Sequence, residues 1–505
     1  MINWKLRYAA LFELEPPLAD PSRRILEVGS GSEGIARYLK RGVVGVDRAF
    51  DGPVSRWLHA VRGSALSLPF ADRAFDDVIC VDTLEHLDRG DRPRAIVELL
   101  RVAGSRVIIS GPIGGFAEWG DASYAEHIAR RRRALPGWLQ QHMVHGIPSL
   151  GDMLEALVGC GHPFTVRVNE GVIQHYSALF ADNYRFMARF HGIHEQKFAL
   201  EPPLVRADGD VPYSYLIAID VAAVPKPREA PEVAAPQAVA PLRPRRAQIF
   251  AVGHRLDRMP AIPGVQRILA GAGGSSRPAA GSDIVCDDGG DSIAHRNADF
   301  SEMTAIYWVW KNIRGLDGVG FCHYRRYFDF RADAPASRRD TRLATPQDVA
   351  SHRAHFVDPA LIARTLETGA ILVTRTTDER MANAEQYMVT HVPGHYLAMM
   401  NHLLANYPHL ARPLIAHVRD DGFYGNNMLV MRWADFDRLC RFWFECLFAL
   451  DRQIGVRPGG YQRRVLAFLS ERLLDIHVRW LRDSGRQVIE YPLFFLEEPA
   501  LAGER

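Results

Sequence analysis

The chain has 505 residues, 47% of them hydrophobic and 24% charged, with a formal net charge of +2. That length has room for two or three domains, and the composition is that of an ordinary soluble globular protein. The balanced charge argues against a global field that would demand nucleic acid.

Six cysteines lie at 80, 160, 286, 322, 440 and 446, with no CxxC pair. Most sit in apolar patterns, so buried thiols in a reducing compartment are expected rather than a disulfide frame or zinc site. The start, Met1-Ile2-Asn3-Trp4-Lys5, has no signal-peptide layout, and no apolar run approaches a membrane span. The expected location is cytoplasmic, with peripheral contact at the inner face of the cell membrane left open. The one dense basic run, Arg130-Arg131-Arg132-Arg133, reads first as a solvated helix face and second as a phosphate or membrane contact.

In chain order, an apolar strand ends in Ile25-Leu26-Glu27-Val28 and enters the turn Gly29-Ser30-Gly31-Ser32-Glu33-Gly34. A helix follows, then the strand Val43-Val44-Gly45-Val46-Asp47, which ends in a carboxylate. This is the layout of a nucleoside-binding βαβ unit. Strands at 24–28, 43–47, 77–82 and 106–110, with a helix over 91–102, predict a parallel sheet with helices on both faces. Residues 113–205, rich in His, Arg and aromatics, are expected to be mostly helical and to act as a substrate cap. A strand over 215–220 closes this first domain, 1–222.

Residues 223–247 are Pro/Ala-rich and predict a semi-extended linker. The second domain, 248–505, opens with a strand at 248–252. Further strands are expected at 283–286, 318–322, 370–374 and 427–431. Helices are expected over 300–313, 434–450 and 461–481, and a mobile or disordered loop at Gly271 to Gly281.

Glu27-x-Gly29-x-Gly31-x-x-Gly34 resembles the first motif of class I S-adenosylmethionine-dependent methyltransferases. The resemblance extends through Asp47, through Gly63-Ser64-Ala65-Leu66-Ser67-Leu68-Pro69-Phe70, and through Asp76 to Leu87, which includes Asp82. Four segments in the right order over 23–111 separate this family from nicotinamide dehydrogenases, which a lone glycine motif would not. The resemblance implies a Rossmann-like fold and a set of cofactor contacts. Gly29 and Gly31 would admit the cofactor backbone-close, where a Cβ would clash, and Gly34 belongs to the same cofactor-binding set. Glu27 would act near the amino group, Asp47 on the ribose hydroxyls, and Ser64, Ala65 and Leu66 at the adenine. Ser64 stands where the family commonly has Asp. Asp82 completes the set.

A sugar hydroxyl is a poor nucleophile and needs a base. The candidates are His86, His142 and His145. The last two lie in Gln141-His142-Met143-Val144-His145-Gly146-Ile147-Pro148, which looks like an "EH…GLP" segment of methyltransferases from polysaccharide gene clusters, with Gln141 replacing Glu. The competing reading for each histidine is structural hydrogen bonding or helix capping.

Residues 248–495 resemble a bacterial family once called domain of unknown function 4422, found in capsule and exopolysaccharide clusters. The resemblance rests on Asp287 to Ile293, Asn297, Glu302 to Asn312, Gly320 to Phe328, Tyr424 to Met428 and Phe468 to Leu474. The family is taken as glycosyltransferase-like with the GT-A fold, and some members are associated with galactofuranose transfer. His323, Tyr324, Arg325 and Arg326 follow an apolar strand, where open α/β sheets bind ligands. Two arginines and a histidine there can clamp a diphosphate. Asp287, Asp288, Asp291, Glu302 and Asn427 complete the expected donor site.

The usual GT-A Asp-x-Asp motif is not evident, because Asp329-Phe330-Arg331 has Arg in the second position. No metal ligand is assigned, although the three aspartates at 287, 288 and 291 could hold Mg²⁺ or Mn²⁺. Glu471 is a candidate acceptor base, against an internal ion pair with Arg472. Tyr307, Trp308 and Trp310 read first as core and second as stacking platforms.

The expected whole is a bifunctional α/β enzyme of surface-polysaccharide synthesis: a sugar O-methyltransferase fused to a nucleotide-sugar-dependent glycosyltransferase. Its expected ligands are S-adenosyl-L-methionine, a nucleoside-diphosphate sugar and a glycan or glycolipid acceptor. Two alternatives stay open: a non-catalytic glycan-binding second domain, and a methyltransferase acting on a lipid or small metabolite. Nucleic-acid methylation is disfavoured, since no Asn-Pro-Pro-Tyr-type base-flipping motif occurs.

Overall fold

The computed structural model describes residues 7–8, 11–12, 18, 20–183, 210–223, 246–255, 259–274, 278, 282–331, 340–377, 379–455 and 459–497. The expected linker falls outside the described residues except at its ends. So do the last part of the expected cap, 184–205, and most of the loop tip at 275–281. The chain divides into two compact units. Ala384–Leu397, expected in the second domain, groups with the first unit.

The first unit is built on a seven-stranded sheet. Its strands are β1 (Ile25–Val28), β2 (Val43–Asp47), β3 (Leu58–Arg62), β4 (Phe75–Val81), β5 (Ala103–Pro112), β6 (Phe164–Gly171) and β7 (Pro212–Asp220), in the order 3-2-1-4-5-7-6. β1 to β5 run parallel, and every residue of β1 is buried, as expected of a strand covered on both faces. Ile25, Ile35, Val43, Ile79, Ile108 and Leu216 form one of its core clusters.

One expectation is corrected here. The sheet is not wholly parallel: β7 runs antiparallel to β5, and β6 antiparallel to β7. Residues 113–205 are mostly helical in the described part, with one strand among the helices. Helices Gly115–Arg130, Gly137–His145, Leu150–Cys160 and Val172–Asn183 are interrupted by β6. The strand Phe164-Thr165-Val166-Arg167-Val168-Asn169 has only a brief apolar alternation, so its period-two signal is short.

The second unit carries a ten-stranded sheet. It contains β8 (Ala247–Gly253), β9 (Val265–Leu269), β10 (Ile284–Cys286), β11 (Gly318–His323), β12 (Arg326–Phe328), β13 (Asp340–Leu343), β14 (Ile371–Thr374), β15 (Leu429–Arg432), β16 (Val488–Tyr491) and β17 (Leu493–Leu496). β10, β9, β8 and β11 are mutually parallel, and β15 pairs antiparallel with β11. β12 folds back on β11, pairing Arg326 with His323, and leads into β17 and β13.

Helices Trp433–Ile454 and Val465–Asp483 bury apolar stripes such as Phe436, Leu439, Trp443 and Leu447. Trp443 Nε1 donates to the Ser470 carbonyl at 3.0 Å, locking one helix to the other. Tyr307 and Trp310 pack on Phe444, in keeping with a core role, and Trp308 Nε1 donates to the Gly289 carbonyl. Four of the six cysteines, Cys80, Cys322, Cys440 and Cys446, are buried. Among the described residues, no helix is long and apolar enough to cross a membrane.

Candidate active sites

A cavity of about 950 Å³ opens at the carboxyl ends of β1, β2 and β4. Gly29, Gly31, Asp47, Ser64, Ala65, Leu66, Asp82, His86 and His145 all line it. Arg7 and Tyr8, which no motif singled out, complete its wall.

At Gly29 and Gly34 the protein's own packing calls for glycine. Gly29 has φ +79°, and a Cβ there would lie 1.9 Å from Thr83 Oγ1 at the end of β4. Gly31 faces open space, so its φ of +53° is what favours glycine. Gly34 lies away from the cavity wall, and a Cβ on it would strike Glu27 Oε2 at 2.1 Å. The expected cofactor clash at Gly29 is therefore corrected to a close approach between two parts of the protein.

Glu27 also differs from expectation. It is fully buried and absent from the cavity wall. Its Oε2 accepts the Ile35 N–H at 2.6 Å and its Oε1 accepts the Tyr8 hydroxyl at 2.6 Å. Burial lifts its carboxyl to about 7 despite those two donors. Glu27 thus fastens the turn from beneath.

Asp47 stands on the wall, with Oδ2 accepting the Gly31 N–H at 2.9 Å. That bond orients the carboxylate and ties it to the turn. Ser64 Oγ accepts the Leu66 N–H at 3.2 Å, which shapes the expected adenine segment. Asp82 adopts a left-handed conformation, φ +45°, and its carboxylate pairs with Arg7 Nε at 2.8 Å.

The three histidines divide. His145 is on the wall, and its Nδ1 lies 2.8 Å from Asp88 Oδ1. With Nδ1–H donated to Asp88, Nε2 is left as the acceptor. His86 is also on the wall, but burial and neighbouring His142 push it down to about 4, which makes it a weak base. His142 is only 6% exposed, is absent from the wall, and places Nδ1 2.7 Å from Asp121 Oδ2. A direct base role for His142 is therefore corrected to a buried one. The His86 and His142 rings are 5.0 Å apart.

In the second unit, three distant segments converge. β11 ends in His323, the 424–428 segment supplies Asn426 and Asn427, and helix Val465–Asp483 supplies Ser470 and Glu471. His323 Nε2 meets the Asn426 carbonyl. Burial, with help from Arg326, pushes His323 down to about 4, so it is neutral near pH 7. Asn427 is fully buried and donates to Glu302 Oε1 at 3.0 Å and Ser470 Oγ at 2.9 Å. Both Asn426 and Asn427 have positive φ.

Arg325 lies over Tyr324 and Phe495, and Arg326 over Phe495. Burial lowers Arg326 below the usual arginine value, partly offset by Glu471. The structure therefore brings His323, Arg326, Glu302, Asn427 and Glu471 into one electrostatic neighbourhood.

Other expected roles are corrected. Glu471 has its Oε1 on the Asn426 N–H at 2.8 Å and its Oε2 on Arg472 Nη1 at 2.9 Å. Both oxygens are engaged, so it braces the 424–428 segment rather than standing ready as a base. Asp287 is fully buried and accepts the Gly271 and Ala272 N–H groups at 2.9 and 3.0 Å, holding the loop after β9. Asp291 accepts the Tyr307 hydroxyl at 3.0 Å. Asp329 is paired with Arg331 at 2.6 Å. Asp287, Asp288 and Asp291 do not form a metal-holding group; among the described residues that geometry occurs at Glu85, His86 and His142.

A further network escaped sequence reading. Buried Asp475 accepts from His417 Nδ1 at 2.7 Å, Arg479 Nε at 2.5 Å and the Tyr424 N–H at 2.9 Å. Burial alone would raise Asp475, but these donors outweigh it and hold the carboxyl low. It anchors the start of the segment that carries Asn426 and Asn427. Its mid-helix position in an apolar pattern offered no sequence signal.

The sheet order, the glycine turn and the carboxylate-ended β2 define a class I methyltransferase domain, and residues 26–109 match the family described as Methyltransferase domain. Residues 248–482 match the family described as Domain of unknown function (DUF4422). The chain is thus a methyltransferase domain fused to a DUF4422 domain.

Among solved structures, WbbM, a bifunctional glycosyltransferase in its apo form, is 23% identical, with 50% of this chain and 46% of that chain covered and a TM-score of 0.45. The magnesium protoporphyrin IX methyltransferase of Synechocystis PCC 6803, with bound SAH, is 14% identical over 43% of this chain and 82% of that one, TM-score 0.25. The [4+2]-cyclase SpnF is 18% identical over 42% and 79%, TM-score 0.26. No curated protein matches the chain.

Proposed function

We propose that the first domain transfers a methyl group from S-adenosylmethionine to a sugar hydroxyl. We propose that the second transfers a sugar, galactofuranose being one candidate, from a nucleoside diphosphate to a growing surface glycan. The observation that carries the reading is the cavity wall, where Asp47, the open face of Gly31 and the Ser64–Leu66 turn meet.

These residues fit the cofactor. Asp47 offers a carboxylate fixed by the turn for two ribose hydroxyls. Ser64 to Leu66 offer a shaped segment for a base. When bound, S-adenosylmethionine would supply an electrophilic methyl group. The protein's task is then to align the acceptor in line and to manage its proton. His145, oriented by Asp88, suits proton acceptance from a hydroxyl through Nε2.

In the second domain, the arginines after β11 support recognition of a diphosphate. Neutral His323 gives its one N–H, on Nε2, to the Asn426 carbonyl, so it positions the segment beside the arginines. Four adjacent strands that run parallel, β10-β9-β8-β11, support the GT-A expectation. A cytoplasmic site at the membrane, where a glycolipid acceptor would be met, belongs to the same reading.

Calorimetric titration of the whole chain with S-adenosylhomocysteine, and separately with UDP, GDP and CMP, tests both halves. One site for S-adenosylhomocysteine and one for a single nucleotide is the expected outcome. Absence of nucleotide binding would turn the second domain into an acceptor-binding module.

A further inference from the structure

We propose that Glu85, His86 and His142 form a binding site for one divalent transition-metal cation at the edge of the first domain's cavity. Glu85 Oε1 lies 4.0 Å from His86 Nε2 and 3.9 Å from His142 Nε2. Ligand atoms on a tetrahedral ion, each about 2.1 Å from it, stand about 3.4 Å apart. Movements below one ångström therefore close the shell. The 3Å-class hydrogen bond is the alternative use of such a cluster, and about 4 Å is too long for one.

The surroundings have the form of a ligand shell. Glu85 is 2% exposed, and its Oε1 has no hydrogen-bond partner. An ionised buried carboxylate oxygen without a donor is unfavourable, and a cation facing it would offset that cost. His142 has its Nδ1 on Asp121, which fixes the tautomer and turns the Nε2 lone pair toward Glu85. Asp121 is held in turn by the Tyr176 and Tyr213 hydroxyls, at 2.5 and 3.0 Å. A carboxylate behind a ligating histidine is the usual outer support of a metal site.

The local fold explains the convergence. The short 3₁₀ turn Leu84–His86 after β4 presents Glu85 and His86 together, and helix Gly137–His145 brings His142 against it. His86 also lines the cavity, so the ion's remaining positions face the space where an acceptor would sit. Two imidazoles and one carboxylate favour Zn²⁺, Mn²⁺ or Fe²⁺ over Mg²⁺ and Ca²⁺, which prefer all-oxygen shells.

The ion's use rests on the methyl-transfer reading. An acceptor hydroxyl bound to it becomes more acidic and gives its proton to His145 Nε2. The oxygen then forms the new C–O bond as the methyl C–S bond breaks, and the electron pair stays on sulfur.

The test uses the whole chain, stripped with chelator and titrated with MnCl₂ and with ZnCl₂ alone. One ion per chain is expected, and the Mn²⁺ electron-paramagnetic signal should change on binding. Glu85→Gln should weaken uptake by at least about 100-fold, and Asp121→Asn by about 10- to 100-fold. Should Glu85→Gln fail to fold, His86→Ala, at the more open edge, replaces it with the same expectation. Failure of the wild-type chain to take up an ion, or equal uptake by the folded variants, overturns the proposal. Titrating metal-free wild type with S-adenosylhomocysteine tests the methyl-transfer reading separately, since cofactor binding there does not need the ion.

Discussion

In the first domain, one short turn and the ends of three neighbouring strands carry the expected cofactor contacts, and buried Glu27 secures them from below. In the second, residues far apart in the chain must meet: His323 with Asn426 and Asn427 with Glu302, each more than a hundred positions apart, and Asn427 with Ser470 on a later helix. The first arrangement follows from local chain geometry. The second exists only once the sheet and two long helices have packed. Substitutions in the first should therefore act on binding with little loss of fold, and those in the second should more often affect both.

The largest expected effect tests that division directly. Asp47→Ala removes a charge-assisted acceptor pair and should lower S-adenosylhomocysteine affinity by roughly 2–4 kcal/mol. Nucleotide binding, measured on the same sample, should not change. Equal loss at both sites would refute the independence of the two domains.

Asn427→Asp should place a carboxylate against Glu302 inside the core. A loss of about 1–3 kcal/mol in unfolding free energy is expected, with weaker nucleotide binding. Unchanged denaturant midpoints would mean that this buried contact matters less than its geometry indicates. Arg325→Ala should instead weaken nucleotide binding by roughly 1.5–3 kcal/mol while leaving the melting temperature nearly constant. A large drop in melting temperature would give Arg325 a structural role.

Gly29→Ala and Gly31→Ala sharpen the comparison within the first site. Both impose positive φ on a side chain, but only Gly29 has Thr83 in the way. Gly31→Ala should cost about 1 kcal/mol of stability, and Gly29→Ala clearly more. Equal costs would mean that Thr83 moves aside freely.

The smallest effect is on pH. The Glu27 carboxyl is raised to about 7 from the usual 4.5, so the folded state holds its proton more tightly. Its contribution is fully present below about pH 4.5 and is lost as pH rises through 7. Glu27→Gln should flatten that decline by on the order of 1 kcal/mol. Thermal melts of both proteins across pH 5 to 8 would reveal a difference, or its absence.

Much of the first domain was legible because its chemistry sits where a strand stops. β1 and β2 announce themselves by mostly apolar runs, with Gly29 just after the first and Asp47 ending the second. β6 was hidden by its mixed face, and the antiparallel direction of β7 is a matter of long-range pairing. Residue type was also a poor guide to role. Glu471 reads as a base but its oxygens are engaged, whereas Glu85, overlooked beside His86, has a buried oxygen without a donor. Sequence reports which groups are present; only packing reports which lone pairs remain.

The hydrogen bond from Tyr8 to Glu27 joins a segment ahead of β1 to the underside of the glycine turn. Arg7, next to it, grips Asp82 on the opposite bank of the cavity. Two separate parts of the cavity's surroundings are thereby tied to one short stretch of chain. A change at this one stretch should therefore reach the underside of the turn and the cavity wall together.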